Sequence, residues 1–223
     1  MAERSGKITI GMSEKEYNAQ YPGYIHSKNS PQQPADALET VRQSIIADNK
    51  APAMDYTFHG ATNDNNNLFA RIVRGELDQW RVWESSTHVA FLTPFANTPG
   101  FTVLVPRRHL SSDILALSDS GLYGLEDAIY QVSQLLKSSL WLERIGVIFE
   151  GFEIDYAHAK LIPMHPNEEP SNTSTPSVDA YSLTYRGFVS SKPGPRVPAR
   201  TLLSLSQKLG GLFHRLRQPD PRR

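Results

Sequence analysis

The sequence predicts an α+β domain with an antiparallel sheet of about five strands and one main helix, set between N- and C-terminal extensions. Three observations predict it. Five short runs between residues 81 and 163 have strand composition and are bounded by polar or Pro/Gly turns. The segment Asp119 to Leu142 sets Leu122, Leu125, Ile129, Val132, Leu135, Leu136 and Leu140 on one apolar helical stripe. A length of 223 residues suits one domain, or one domain with long extensions.

Residues 1–66 are polar and rich in Asn, Ser and Pro, with one helical patch from Pro34 to Asn49 in which Leu38, Val41, Ile45 and Ile46 share a face. The loop Asn63-Asp64-Asn65-Asn66-Asn67 marks the start of a compact domain, 67–164. There, LFARIVRGE (68–76) reads as a short helix ended by Gly75. Arg81 to Glu84, Val89 to Thr93 and Phe101 to Val105 read as strands, with Pro94, Pro99 and Gly100 interrupting the second connection. Ser118 or Asp119 caps the main helix. Strands follow near Gly146–Phe149 and Ala157–Pro163. Residues 165–180 have the composition of a flexible connection. The tail, 181–223, holds an aromatic strand-like piece, a Pro/Gly turn, a helix from Ala199 to Leu209, and a frayed end.

Basic and acidic residues balance at 23 each, so no net field draws nucleic acid or an anionic membrane. The absence of Cys removes disulfides, thiolate nucleophiles and Cys-zinc sites. With no signal-like N-terminus and no run of spanning length, the expectation is a soluble cytoplasmic or nuclear protein.

The extensions are related. Residues 17–43 align with 181–207 without a gap, at a constant offset of 164, and ten of the 27 positions are identical. Shared composition between Pro-rich linkers would match the prolines. Here Tyr17/Tyr181, Tyr21/Tyr185, Gly23/Gly187 and Ser27-Lys28/Ser191-Lys192 match as well, so we read a true repeat. Two copies at opposite ends do not make a solenoid. Both copies are expected to share a strand–turn–helix shape, one of them near the site described next.

The chemistry concentrates in VIFEGFEIDYAHAKLIPM (147–164). Along a strand, Tyr156, His158 and Lys160 would share one face, with Ala157, Ala159 and Leu161 on the other. A phenol, an imidazole and an ammonium together point to phosphate. Taken alone, a strand histidine reads first as structural. His109 reads as a cap or turn residue. His59, His88, His165 and His214 lack partners at metal-ligand spacing, although His158, His165, Glu153 and Asp155 could meet in space.

The ordered parts from Leu68 to Pro163 resemble the histidine-triad (HIT) superfamily of nucleotide hydrolases and transferases. LFARIVRGE resembles its opening helix, RVWESSTHVAFLTPFANTPGFTVLVPRRH its strand pair, proline turn and third strand, and AHAKLIP its signature strand. The family motif is His-x-His-x-His followed by two apolar residues. Aligned through Leu161-Ile162-Pro163, its histidines fall on Tyr156, His158 and Lys160, so only the central one, the family nucleophile, is kept. A further family histidine is Phe101 here, and the ribose-binding acid falls on Thr93.

The resemblance implies transfer of a nucleotidyl group to His158 and then hydrolysis of the phosphoramidate, with Lys160 and Tyr156 as phosphate donors and no cofactor. It implies a nucleotide partner held by an apolar cleft of Phe69, Ile72, Leu77 and Phe91, with Thr93 at the ribose. It also implies a homodimer, or a pseudo-dimer contact through the tail repeat. Losing the acid at position 93 weakens the ribose hold by about 1.5–3 kcal/mol. Glu153 stands where the family has a neutral phosphate-binding residue, and a carboxylate there repels phosphate unless Lys160 or a metal offsets it. The alternatives are a non-catalytic nucleotide-binding or protein-interaction module, and a metal-assisted enzyme using Glu153 or Asp155 with His158.

Overall fold

The computed structural model describes residues 16–47, 49, 51–61, 63, 66–166 and 177–216, with side chains up to residue 210. The readings of the extreme N-terminus, of most of the 165–180 connection and of the last residues lie outside them. The elements run α1 (Ala35–Ile46), α2 (Leu68–Val73), β1 (Trp80–Glu84), β2 (His88–Leu92), β3 (Thr102–Pro106), α3 (Asp119–Ser139), β4 (Ile145–Ile148), β5 (Ala159–Pro163) and α4 (Ala199–Leu216). One antiparallel sheet takes the order β1-β2-β3-β5-β4. None of the described helices is long and apolar enough to cross a membrane.

The strands alternate faces, and each face has its own core. Ala90, Leu104, Ala157, Ala159 and Leu161 pack toward α3, which buries Leu125, Ala128, Val132 and Leu136. The helix starts where Ser118 Oγ accepts the Gly121 amide at 3.3 Å. On the other face Val89, Val103, Val105, Tyr156 and Ile162 pack with Phe69, Ala70 and Val73 of α2. That short helix closes on Gly75, whose φ is +73°. The Gly75 amide reaches the Ile72 carbonyl and the Glu76 amide the Arg71 carbonyl, a Schellman pair. A Cβ on Gly75 would lie 2.5 Å from the Tyr56 ring.

Helix α1, read as a helical patch in the N-terminal extension, packs on the domain. Leu38, Ile45 and Ile46 are buried in the α3-side core, so the compact unit begins well before residue 67. Ser139 Oγ donates to the Ile45 carbonyl at 2.8 Å and Arg42 Nε to the Arg81 carbonyl at 2.8 Å. The connection after α1 is clipped by two buried guanidinium groups. Arg81 and Arg107 both bond Glu84 Oε2 at 2.8 Å, and both donate to the Asp55 carbonyl.

The two repeat copies meet each other. His26 and Ser190, equivalent positions, form an isolated antiparallel bridge in place of the expected strand-like pieces. The surrounding bonds come in symmetric pairs. The Ser27 amide donates to the Val189 carbonyl and the Ser191 amide to the Ile25 carbonyl, both at 2.9 Å. The Val189 amide donates to Ser27 Oγ at 2.8 Å and the Ile25 amide to Ser191 Oγ at 2.9 Å. Lys28 lies over the Phe188 ring and Lys192 over the Tyr24 ring. Gly23 and Gly187 have φ of +89° and +87°. Both copies end in helices that begin at equivalent alanines, Ala35 and Ala199. The copies are thus related by a local two-fold axis.

Candidate functional site

A cleft of about 380 Å³ opens on the α2 side of the sheet. Register builds its floor. Phe91 pairs with Val103, Val103 with Lys160 and Lys160 with Ile148, so one cross-strand row shares that face. Phe91, Val103 and Lys160 of this row line the cleft, joined by Phe69, Ile72 and Leu77 from the α2 region and Thr93 from the end of β2. His158, just before β5, lines it too.

His158 is 4% exposed, and its ring lies 5.0 Å from that of Phe69. Nδ1 stands 2.7 Å from the Tyr156 carbonyl, which can only accept, so Nδ1 carries the proton and Nε2 the lone pair. Burial lowers the His158 pKa below the ordinary imidazole value and the nearby Lys160 adds to this, against the Tyr156 bond and Glu150. The ring is therefore neutral near pH 7.

Lys160 does not stand free. Its ammonium donates to Glu150 Oε2 at 2.8 Å, and Glu150 also accepts from the Tyr185 hydroxyl. Burial pushes the Glu150 carboxyl up, but bonds from Lys160, Ser27 and Tyr185 outweigh it and leave the group below its ordinary value. The Tyr185 hydroxyl is raised, first by burial and then by Glu150. Its ring stacks on Phe152 at 4.9 Å. Both repeat copies reach the site, since Asn29 of the first copy lines the cleft.

Tyr156 requires a correction. It lies on the expected face of the sheet and packs edge-on against Phe69, yet it is fully buried and does not line the cleft. Its hydroxyl donates to the Pro106 carbonyl at 2.7 Å. The reason is that the ladder of β5 starts at Ala159 and the chain bends before it: the Tyr156 amide bonds the Ile154 carbonyl and the Ala157 amide the Leu110 carbonyl. The phenol is thus packed between Phe69 and His109, and it is the Tyr156 carbonyl that meets His158. His109 is a loop residue as read, its Nε2 2.8 Å from the Asp155 carbonyl and its ring edge-on to Tyr156.

Glu153 lines the cleft, whereas Asp155 is turned to the Ser112 amide and His165 to the Pro99 carbonyl. Among the described residues no three His, Asp or Glu side chains come together at metal-binding distance. The sequence reading missed Glu150, Asp78 and Asn29, all in the cleft wall. A signal existed for Glu150: it lies just beyond β4, whose Ile148 pairs with Lys160.

The five-stranded antiparallel sheet with its helices is a HIT-like fold, and His158 lies in an apolar-walled cleft on one face of it. No family model matches the chain. An uncharacterized HIT-like protein of Saccharolobus solfataricus is 29% identical over 101 residues, 43% of this chain and 72% of the relative. Similar solved structures include a Hit-like protein of Bartonella henselae, 26% identical over 46% of this chain and 82% of that one, with a TM-score of 0.42. Another is a histidine triad nucleotide-binding protein of Candida albicans, 16% identical over 68% and 99%, with a TM-score of 0.46. A third is a HIT family hydrolase of Legionella pneumophila, 20% identical over 48% and 99%, with a TM-score of 0.39. In sequence the chain is thus similar to HIT-like proteins over its central part.

Proposed function

We propose that the chain is a HIT-type nucleotide hydrolase or nucleotidyltransferase with His158 as its nucleophile. The observation that carries this reading is the 2.7 Å bond from His158 Nδ1 to the Tyr156 carbonyl, which leaves a neutral Nε2 lone pair in a lined cleft. The base lies among Phe69, Ile72, Leu77 and Phe91, and the Thr93 hydroxyl meets the ribose. Nε2 attacks the α-phosphorus, and the bond to the leaving group breaks as the N–P bond forms. The leaving group departs with its electron pair and takes a proton from water. Lys160 exchanges Glu150 for a non-bridging oxygen and offsets the charge there. Water then attacks the same phosphorus and loses a proton to solvent. The N–P bond breaks, returning the imidazole and a nucleoside monophosphate.

A second reading, a binding module without turnover, is favoured by one observation: Lys160 is already paired with Glu150. Incubation with adenylyl and guanylyl phosphoramidates and dinucleoside polyphosphates, followed by mass spectrometry, separates the two. A nucleotidyl adduct on His158, lost in His158→Ala, is expected. No adduct and no turnover in folded protein overturns the catalytic reading. A rise in Tm with nucleoside monophosphate would then favour the module.

A further inference from the structure

The local two-fold axis relates α1 and α4, but the two helices have different surroundings. Helix α1 lies on β1 and α3, where Leu38 and Ile45 are buried and Val41 is partly buried. At the offset of 164 these residues become Leu202, Leu205 and Leu209. All three counterparts are leucine, and they are 53%, 48% and 58% exposed. The apolar stripe of α4 is therefore in register with the stripe that α1 inserts between β1 and α3, and it has no such seat. We propose that α4 docks on a second HIT-like domain, in the groove between the elements equivalent to β1 and α3, so that the axis through His26 and Ser190 relates two helix-on-domain units.

Other features of the second copy fit this seating. In the first copy Ile25 packs on β4, close enough that a Cβ on Gly146 would lie 2.7 Å from it. Its counterpart Val189 is 39% exposed. The first copy bonds the 94–97 loop through the Ser30 and Gln33 amides, and the counterpart of Gln33, Val197, is 38% exposed. A second copy of this chain does not supply the seat, because its own α1 fills the groove. The partner is a HIT-like domain whose groove is open. This assignment does not depend on whether His158 is catalytic.

The test uses the full chain with residues 35–45 rewritten as the sequence of 199–209, Ile46 being kept. If α4 is shaped for a groove of this kind, the exchanged chain unfolds cooperatively with a Tm within about 5 °C of the parent, a shift worth only one or two core contacts. The comparison variant, Leu38→Asp with Ile45→Asp, loses far more. Should the exchange disturb folding by another route, a second measurement decides. A synthetic peptide of residues 198–216 is added to full-length Leu38→Ala, and a concentration-dependent rise in Tm is expected. The same peptide carrying Leu205→Asp gives no rise. Either positive result supports the proposal. If the exchanged chain unfolds as early as the Asp variant and the peptide does nothing, the proposal is overturned. It is also overturned if the chain sediments as a homodimer that Leu205→Asp dissociates, since a second copy would then cover the helix.

Discussion

Residues 17–43 and 181–207 are one structural element in two settings. Their turns and helix starts coincide, and their bridge bonds are paired across the axis. Their burial does not coincide: the first copy inserts its helix into the α3-side core, and the second leaves its leucines exposed. The difference lies in what each copy rests on. It also lies in a few side chains, such as His26, which is buried beside Asn97, where the second copy has the exposed Ser190. The two copies share their conformation while only one is packed on the core, so the bridge rests on the bonds the copies make to each other and not on matching support beneath each.

The largest test of that difference is a pair of truncations at equivalent positions. Ile45→Ala should cost about 2–5 kcal/mol, the range for a buried branched aliphatic. Leu209→Ala should stay within about 0.5 kcal/mol in the isolated chain. Urea midpoints of the two variants measure this directly, and equal losses would break the comparison.

Acid should act on the settled side. Burial pushes His88 down to about 4, Asp127 opposing and Arg108 adding to the shift, and its Nε2 has no hydrogen-bond partner. A folded pKa below the unfolded value of about 6.5 means the folded state favours the neutral ring. The stability this contributes is whole above about pH 6.5 and is lost as pH falls through the folded value near 4, on the order of 3 kcal/mol in all. His26 is lowered in the same direction, first by burial, with Glu16 opposing and Lys28 adding. Replacing it by the residue of the other copy, His26→Ser, should flatten part of the acid slope seen between pH 7.5 and 5. An unchanged slope would mean that His26 carries none of it.

The smallest effects sharpen the symmetry itself. Ser27→Ala and Ser191→Ala each remove the acceptor of one amide across the axis, at 2.8 and 2.9 Å. Each should cost about 0.5–1.5 kcal/mol, with Ser27 at the upper end because it is buried and Ser191 is exposed. Thermal unfolding of the two variants side by side gives the answer.

Much of this was legible because periodicity carries it. The α3 stripe, the Ser118 cap, the Gly75 stop and the alternation of Ala157, Ala159 and Leu161 against His158 and Lys160 follow from spacing alone. So does the repeat, whose matched positions form the bridge. What was not legible depends on where the backbone leaves a regular path or on which surfaces meet. Tyr156 falls off the ladder because residues 154–157 bend, and no pattern in the strand announces that. The helical period of α1 was plain, but not that β1 and α3 would receive it. Glu150, Asn29 and Tyr185 enter the site from three distant points of the chain, and the buried Arg81–Glu84–Arg107 cluster joins residues that sequence reading takes for strand edge and turn.

The bridge between residues 25–27 and 189–191 also bears on how the chain folds. Its partners are 162 residues apart, so it closes nearly the whole polypeptide into a ring. Contacts of such separation form only after the intervening chain has collapsed, and they slow the search for the native state. Once the sheet is built, however, closing a loop twice as long costs only about 0.6 kcal/mol more. The ring should therefore shut as a late and reversible step, with the central domain already assembled. A chain cut between the domain and the second copy would keep its sheet but rejoin the ends at a rate set by concentration.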